Sequence, residues 1–345
     1  MDLFSLATSI TLLRFLLPLF FCISVSSAQD CINNQISRTI IVDRSGRNSK
    51  FKTVQSAIDS IPENNNKWVK IHINAGTYEE KVNIPCEKPC IFLEGEGIDV
   101  TTITYNDHQQ MDESATFSSY PDNVVASSIT FKNSFDVGKV MNLEEVKNGN
   151  IQVPALSARI YGDKSGFYNC KFVGYQDTLW DVQGRHYFKN CNIEGAVDFI
   201  SGNGQSYFED CVINTTSSGF ITAQGRQSDD ETSGFVFKGG YVVGSRGASS
   251  LLGRAYGPYS RVIFIQSNFD SVVSPMGWDS WHFATHEDKF TYAEFNCKGV
   301  GANPSKRVPW MKKLDAAQLN QFSRSSFVDQ DNWISTNKAF MKIIE

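Results

Sequence analysis

The sequence predicts an all-β chain wound as a single-stranded parallel β-helix, with short helices only at its ends. Three observations predict it. First, near-copies recur at residues 167–172 (FYNCKF), 187–193 (YFKNCNI) and 207–213 (YFEDCVI), and their cysteines, Cys170, Cys191 and Cys211, are spaced by 21 and 20. Second, each copy is a short alternating aromatic or β-branched run closed by Asn, Asp or Cys, which is strand composition with turn punctuation. Third, helical periodicity is confined to the two ends of the chain.

A period near 21 built of strands and turns fits one coil of a β-helix, each coil pairing with the next about 4.8 Å away. Residues at one offset then stack as ladders, with Cys170, Cys191 and Cys211 acting as small buried hydrophobes. Looser copies at 129–133, 264–268 and 293–297 extend the stack in both directions. A β-sandwich or propeller with chance spacing is the competing architecture, and a leucine-rich repeat lacks its leucine framework.

The ends read differently. Residues 1–28 carry Arg14, an apolar run from Phe15 to Val25 broken by Pro18, and a small-residue Ser26-Ser27-Ala28 site. That pattern predicts a secretory signal peptide cut after Ala28, so residues 29–345 form a single domain with no membrane anchor after cleavage. Val54, Ala57, Ile58 and Ile61 follow the i, i+3, i+4, i+7 rule and Pro62 stops the run, predicting a capping helix. A second short helix is expected over 316–322. Caps are needed because a coil stack exposes apolar surface and unpaired edges at its ends.

The chain has 345 residues, 41% hydrophobic and 20% charged, enough for a sizeable core. A formal net charge of -5 argues against a dedicated nucleic-acid binder and against an affinity for anionic membranes. Beyond the signal segment seven cysteines remain. Cys86 and Cys90 are near enough to bridge a local loop, or equally to be buried thiols. No histidines join them at zinc-ligand spacing, and no metal or organic cofactor is expected. Asn214-Thr215-Thr216 is a glycosylation sequon, permissive for an N-linked glycan in an exported protein.

The central chemical observation is a matched pair of acids. Asp177 stands seven residues after Cys170, and Asp198 seven after Cys191. Coils in register put both on one face of adjacent rungs. Apolar neighbours raise the cost of ionising both, and two close carboxylates tend to share a proton, so one serves as acid while the other serves as base or nucleophile. A structural polar ladder is the plain alternative. Arg254, in a glycine-rich passage, offers a bidentate counter-charge, and Gln176 an amide donor for an oxyanion. Tyr175, Trp180, Tyr256, Trp278 and Trp281 cluster around these motifs in sequence. Their rings suit the apolar faces of sugars, although core packing is the commoner role for any one of them.

These pieces, taken in order, resemble a plant-type pectinesterase, or pectin methylesterase. They are Gly76-Thr77-Tyr78-Glu79-Glu80, Gly162-Asp163-Lys164-Ser165-Gly166-Phe167-Tyr168-Asn169-Cys170, Gly174-Tyr175-Gln176-Asp177-Thr178-Leu179-Trp180, Asp198-Phe199-Ile200-Ser201-Gly202, Thr222-Ala223-Gln224-Gly225-Arg226, Leu252-Gly253-Arg254 and Gly277-Trp278. The resemblance spans roughly residues 39 to 335. It implies a right-handed parallel β-helix that hydrolyses C6 methyl esters of galacturonate in homogalacturonan and releases methanol. Asp198 matches the nucleophile, Asp177 the acid/base, Gln176 an oxyanion donor, and Arg254 the arginine that orients Asp198. Tyr175, Trp180, Phe199, Tyr256 and Trp278 fall on the expected substrate groove. The resemblance also implies a secreted monomer of the plant cell wall, without the long N-terminal inhibitor-like region of many members, and leaves room for a proteinaceous pectinesterase inhibitor as partner.

The sequence departs from the family pattern at three places. Pro154 stands where a glutamine is usual in the oxyanion segment; Gln152, two residues earlier, could substitute only if the local path shifts. Loss of one oxyanion donor costs about 2.7–4 kcal/mol of transition-state stabilisation. Arg254-Ala255-Tyr256 replaces Arg-Pro-Trp, and Ser201-Gly202 replaces Phe-Gly. A catalytically weak or inactive pectin-binding wall protein is therefore the alternative, ahead of a pectate lyase, which would want an acidic calcium cluster, or a polygalacturonase.

Overall fold

The computed structural model describes residues 31–32, 35–47, 49–108, 110–136 and 153–336. The expected signal segment lies outside these residues, as does Gln152. Among the described residues no helix is long and apolar enough to cross a membrane.

The segment from Cys31 onward forms one unit. Every strand pairing among the described residues is parallel. Successive coils stack at offsets of 21, 21 and 20 residues through the cysteine repeat, and the coils lengthen to offsets of 29, 27 and 30 residues beyond it. One face is a ten-stranded sheet running from Arg38–Val42 to Thr291–Phe295. Two further faces merge where long strands bend. Asn192–Gly202 pairs through its first part with Lys171–Val173 and through its last with Leu179–Asp181. Val212–Gln224 bends likewise between Tyr241–Gly244 and Ser250–Ala255.

The repeat explains itself at the turn before each cysteine. Ser128, Asn169, Asn190, Asp210, Gly239, Gln266 and Asn296 all have φ between 49° and 69°. One left-handed residue per coil turns the chain from the first face to the second. Asn and Asp tolerate that conformation best after glycine, so the recurrent Asn-Cys and Asp-Cys pairs are backbone requirements. Asn190→Gly is thus expected to leave the thermal midpoint nearly unchanged, whereas Asn190→Val should cost about 1–2 kcal/mol, read by thermal unfolding.

Inside, the aligned phenylalanines Phe167, Phe188, Phe208, Phe237 and Phe264 stack with successive centroid separations of 5.1, 4.6, 4.5 and 4.3 Å. Cys170, Cys191 and Cys211 run beside them as buried thiols. Burial, then mutual contact with Cys170 and Cys211, lifts the Cys191 thiol well above the usual range, so the ladder is apolar in character.

The helix Val54–Asp59 covers one end of the stack, ending two residues short of the predicted limit. Val54, Ala57 and Ile58 are buried, and the carboxylate of Glu80 accepts from the Val54 and Gln55 N–H groups at 2.8 and 2.9 Å. Its charge thereby meets the orphan donors of the first turn. Near the other terminus Ala316–Gln321 is capped by a reciprocal Asp315–Gln318 box. Further helices at Arg324–Phe327 and Trp333–Thr336 follow it. Phe322, Phe327, Val328, Trp333 and Ile334 pack with Tyr168, Tyr187 and Tyr207 on the outside of the first sheet.

A local Cys86–Cys90 bridge is not what forms. Cys90 pairs with Cys31, 59 residues earlier, at a Cα–Cα distance of 5.9 Å. The reason is the path of the N-terminal segment, which runs along the first coil through Ile32 N–H to Asn66 O and Ser37 N–H to Trp68 O. Cys86 is disulfide-bonded as well.

Candidate active site

The two acids sit at the same corner of consecutive coils. An isolated parallel bridge joins Gln176 to Val197, and the Asp177 N–H donates to Val197 O at 3.0 Å. Asp177 and Asp198 are the next residues of each chain and share a left-handed conformation, φ 56° and 50°. Around Asp198 the pairing with the following coil slips, with irregularities between Gly195 and Val197 and between Val197 and Ile200. The bulge turns Asp198 out of the ladder, a common device beside functional sites.

Arg254 reaches Asp198 from Ser250–Ala255, two coils further on. Its Nε donates to Asp198 Oδ1 at 2.8 Å and its Nη2 donates to Oδ2, a two-point fork. Phe220 and Trp281 flank the guanidinium, with ring centroids 4.3 and 4.1 Å from its central carbon. Gln176 is aimed from the preceding coil: the Val153 N–H donates to Gln176 Oε1 at 3.0 Å, and the amide nitrogen hydrogen-bonds the Asp177 carboxyl. Pro154 lies between the two residues whose N–H groups serve this coil, Val153 and Ala155, and so forfeits no hydrogen bond to it.

Arg254 sets the two buried carboxyls apart. Desolvation lifts Asp177 well above the ordinary range, and the charge of Asp198 lifts it further, against smaller opposing pulls from Arg254 and the Gln176 hydrogen bond. Asp198 is also raised by burial, but the hydrogen bond and charge of Arg254 hold it down. The shared proton therefore favours Asp177 and the anion favours Asp198. Both keep a sliver of exposed surface, 8% and 4%.

The groove aromatics divide. Tyr175 and Trp180 are half-buried, and Tyr256 is 53% exposed with its ring 5.3 Å from Trp281. Burial, then the charges of Asp177 and Asp198, raise the Tyr256 phenol, which places it within their field. Phe199 and Trp278 are corrections. Both are fully buried: Phe199 belongs to the core, and Trp278 stacks on Tyr292 at 4.6 Å and donates to Glu294 Oε1. Phe199 follows the left-handed Asp198, and the bulge there turns Phe199 and Ile200 together into the core. Strand alternation accounts for Trp278: Asp279 pairs with outward Arg254, so Trp278 before it points inward.

Two contributors escaped sequence reasoning. Arg159, aligned with Trp180 in the next coil, lies against the rings of Tyr120, Tyr161 and Trp180 at 5.3–5.8 Å. Phe220 backs Arg254. Arg159 closes the oxyanion segment that begins at Pro154, and the coil register puts it beside Trp180; Phe220 carries no local motif, and register pairs it with Leu251 rather than with Arg254. Asn214 lies on Val212–Gln224, half-buried, with its amide donating to Glu194 at 3.0 Å.

Fold and site together define a β-helical hydrolase built around carboxylates. The pectinesterase family model matches residues 39–331. Pectinesterases numbered 10 and 55 of Arabidopsis thaliana are 44% identical over 318 residues and 45% over 305, covering 90% and 86% of this chain and 91% and 89% of theirs. Among solved structures, the pectin methylesterase from carrot superposes with a TM-score of 0.79 at 28% identity, over 90% of this chain and 98% of its own. The pectin methylesterase from Aspergillus niger gives 0.73 at 26%, over 89% and 98%. The chain belongs to the pectinesterase family and is a carboxylic ester hydrolase with pectin methylesterase function.

Proposed function

We propose that Asp198 is the nucleophile and Asp177 the general acid/base in hydrolysis of galacturonate C6 methyl esters of homogalacturonan. The observation that carries this reading is the asymmetry of the pair: adjacent coils, one corner, and an arginine fork on Asp198. An Asp198 carboxylate oxygen attacks the ester carbonyl carbon. The carbonyl oxygen becomes an oxyanion, met by the amide N–H of Gln176. Collapse breaks the bond to the methoxy oxygen, which takes the proton of Asp177 and leaves as methanol. Asp177, now anionic, takes a proton from water as that water attacks the acyl carbon, and Asp198 is released as carboxylate. Tyr175, Trp180 and Tyr256 line the sugar path.

The test is methanol release from methylated homogalacturonan. Activity should require an ionised Asp198 and a protonated Asp177, giving a bell-shaped pH profile of kcat/KM. A wild-type protein that binds the polymer yet releases no methanol at any pH would favour the second reading, a pectin-binding protein. Pro154 at the usual glutamine position is the observation that motivates that reading.

Export belongs to the same proposal. Cleavage after Ala28, a cell-wall location, a glycan on Asn214, a monomeric state and a proteinaceous inhibitor as partner fit an enzyme whose polymer substrate lies outside the cell. Intact mass of the secreted protein, before and after enzymatic deglycosylation, reads the first and third.

A further inference from the structure

We infer that Trp281 is a positioning residue for the reaction, acting through Arg254 to keep the Asp198 carboxylate in attacking orientation. The inference rests on the proposed nucleophilic role of Asp198 and deepens it.

An arginine fork aims a carboxylate only if the guanidinium plane is itself fixed. Here little else fixes it: the described hydrogen bonds of Arg254 are the two to Asp198. Its faces meet rings instead, with Phe220 at 4.3 Å and Trp281 at 4.1 Å. Such stacking suits the planar, weakly hydrated guanidinium and strengthens as water is excluded. Phe220 belongs to the neighbouring strand and is held by the β-ladder, paired with Val197 and Leu251. Trp281 comes from the 3-10 turn Trp281–Phe283, outside the ladder.

That turn is built to deliver the indole. Trp281 has φ 47°, a conformation that bulky residues avoid. Its N–H donates to Asp279 Oδ1 at 2.7 Å, and Asp279 is paired with Arg254 in the sheet. The strained residue is therefore tied to the strand beside the side chain it covers. The Tyr256 ring lies tilted against Trp281 at 5.3 Å. The ionisable groups facing Asp198 and Arg254 are Asp177, the Tyr256 phenol and Asp279; Tyr292 feels the charges of Asp279 and Asp198 from within the core.

Removing the indole frees the guanidinium to rotate. Because Arg254 holds the Asp198 carboxyl down, a loosened fork lets its pKa rise. Trp281→Ala should move the acid limb of the kcat/KM profile upward by about one pH unit. On that limb kcat/KM should fall roughly tenfold, the factor one pKa unit carries. Trp281→Phe should restore most of both, since a benzene face still stacks. A role limited to lining the groove would instead raise KM and leave the acid limb in place, and that result overturns the inference while the esterase reading stands. Crystal structures of the two variants give a readout independent of turnover. Arg254 should lose its single bidentate pose in Trp281→Ala and keep it in Trp281→Phe. An unchanged fork in the alanine variant defeats the inference even if the enzyme proves inactive.

Discussion

Asp198→Asn is expected to lower methanol release by about 10⁴-fold or more, the scale seen when a nucleophile is removed from a working site. The amide keeps the shape of the carboxyl and can still accept from Arg254, but it cannot form the acyl intermediate. Asp177→Asn should cost about 10²–10⁴-fold, since it removes proton transfer and leaves the nucleophile in place. The two losses should not add, because each group works only with the other. Their pH dependence separates them. Burial and the Asp198 charge raise Asp177, so its protonated form persists to higher pH and sets the alkaline limb. Arg254 restrains Asp198, which sets the acid limb. If Asp198→Asn retained a tenth of wild-type turnover, Asp198 would not be the nucleophile.

Much of this was legible in the sequence because a β-helix is written one coil at a time. The Cys170, Cys191, Cys211 spacing sets the register, and register alone places Asp177 beside Asp198. The outward or inward sense of a given aromatic is less legible. Near a bulge or a strand end the alternation must be anchored on a known neighbour, and Phe199 and Trp278 were anchored on family position instead. Trp281 and Phe220 answer to Arg254 across coils, a contact with no local signature. The disulfide of Cys90 is not legible locally, because its partner, Cys31, arrives along the edge of the first coil from 59 residues away.

A second large effect is expected away from the catalytic corner, at a buried ion pair beneath the Trp180 strand. His186 and Asp181 have no exposed surface. The Nδ1 of His186 faces Asp181 Oδ1 and its Nε2 faces Gly162 O at 2.9 Å. A carboxylate and a carbonyl only accept, so both ring nitrogens must donate and the imidazole is charged. Desolvation works against that charge, yet the charge and hydrogen bond of Asp181, the Gly162 carbonyl and the charge of Asp163 together outweigh it, and the His186 pKa is raised. Ser206 donates to the second oxygen of Asp181, completing its shell. Asp181→Asn should therefore cost most at acid pH, about 3–5 kcal/mol of stability, where a charged ring is stripped of its buried partner. The sign with pH is the sharper check. In the wild type the folded His186 binds its proton more tightly than the unfolded chain does, so its contribution is complete below about pH 6.5 and fades as pH rises through the folded value. In Asp181→Asn the two largest opposing causes are gone and burial outweighs the Gly162 carbonyl and Asp163, so the ring folds neutral and stability should instead fall as pH drops below about 6.5. Thermal midpoints from pH 5 to 9 for both proteins, measured in one buffer series, should thus slope in opposite directions. Parallel slopes would mean that His186 is neutral in the native protein.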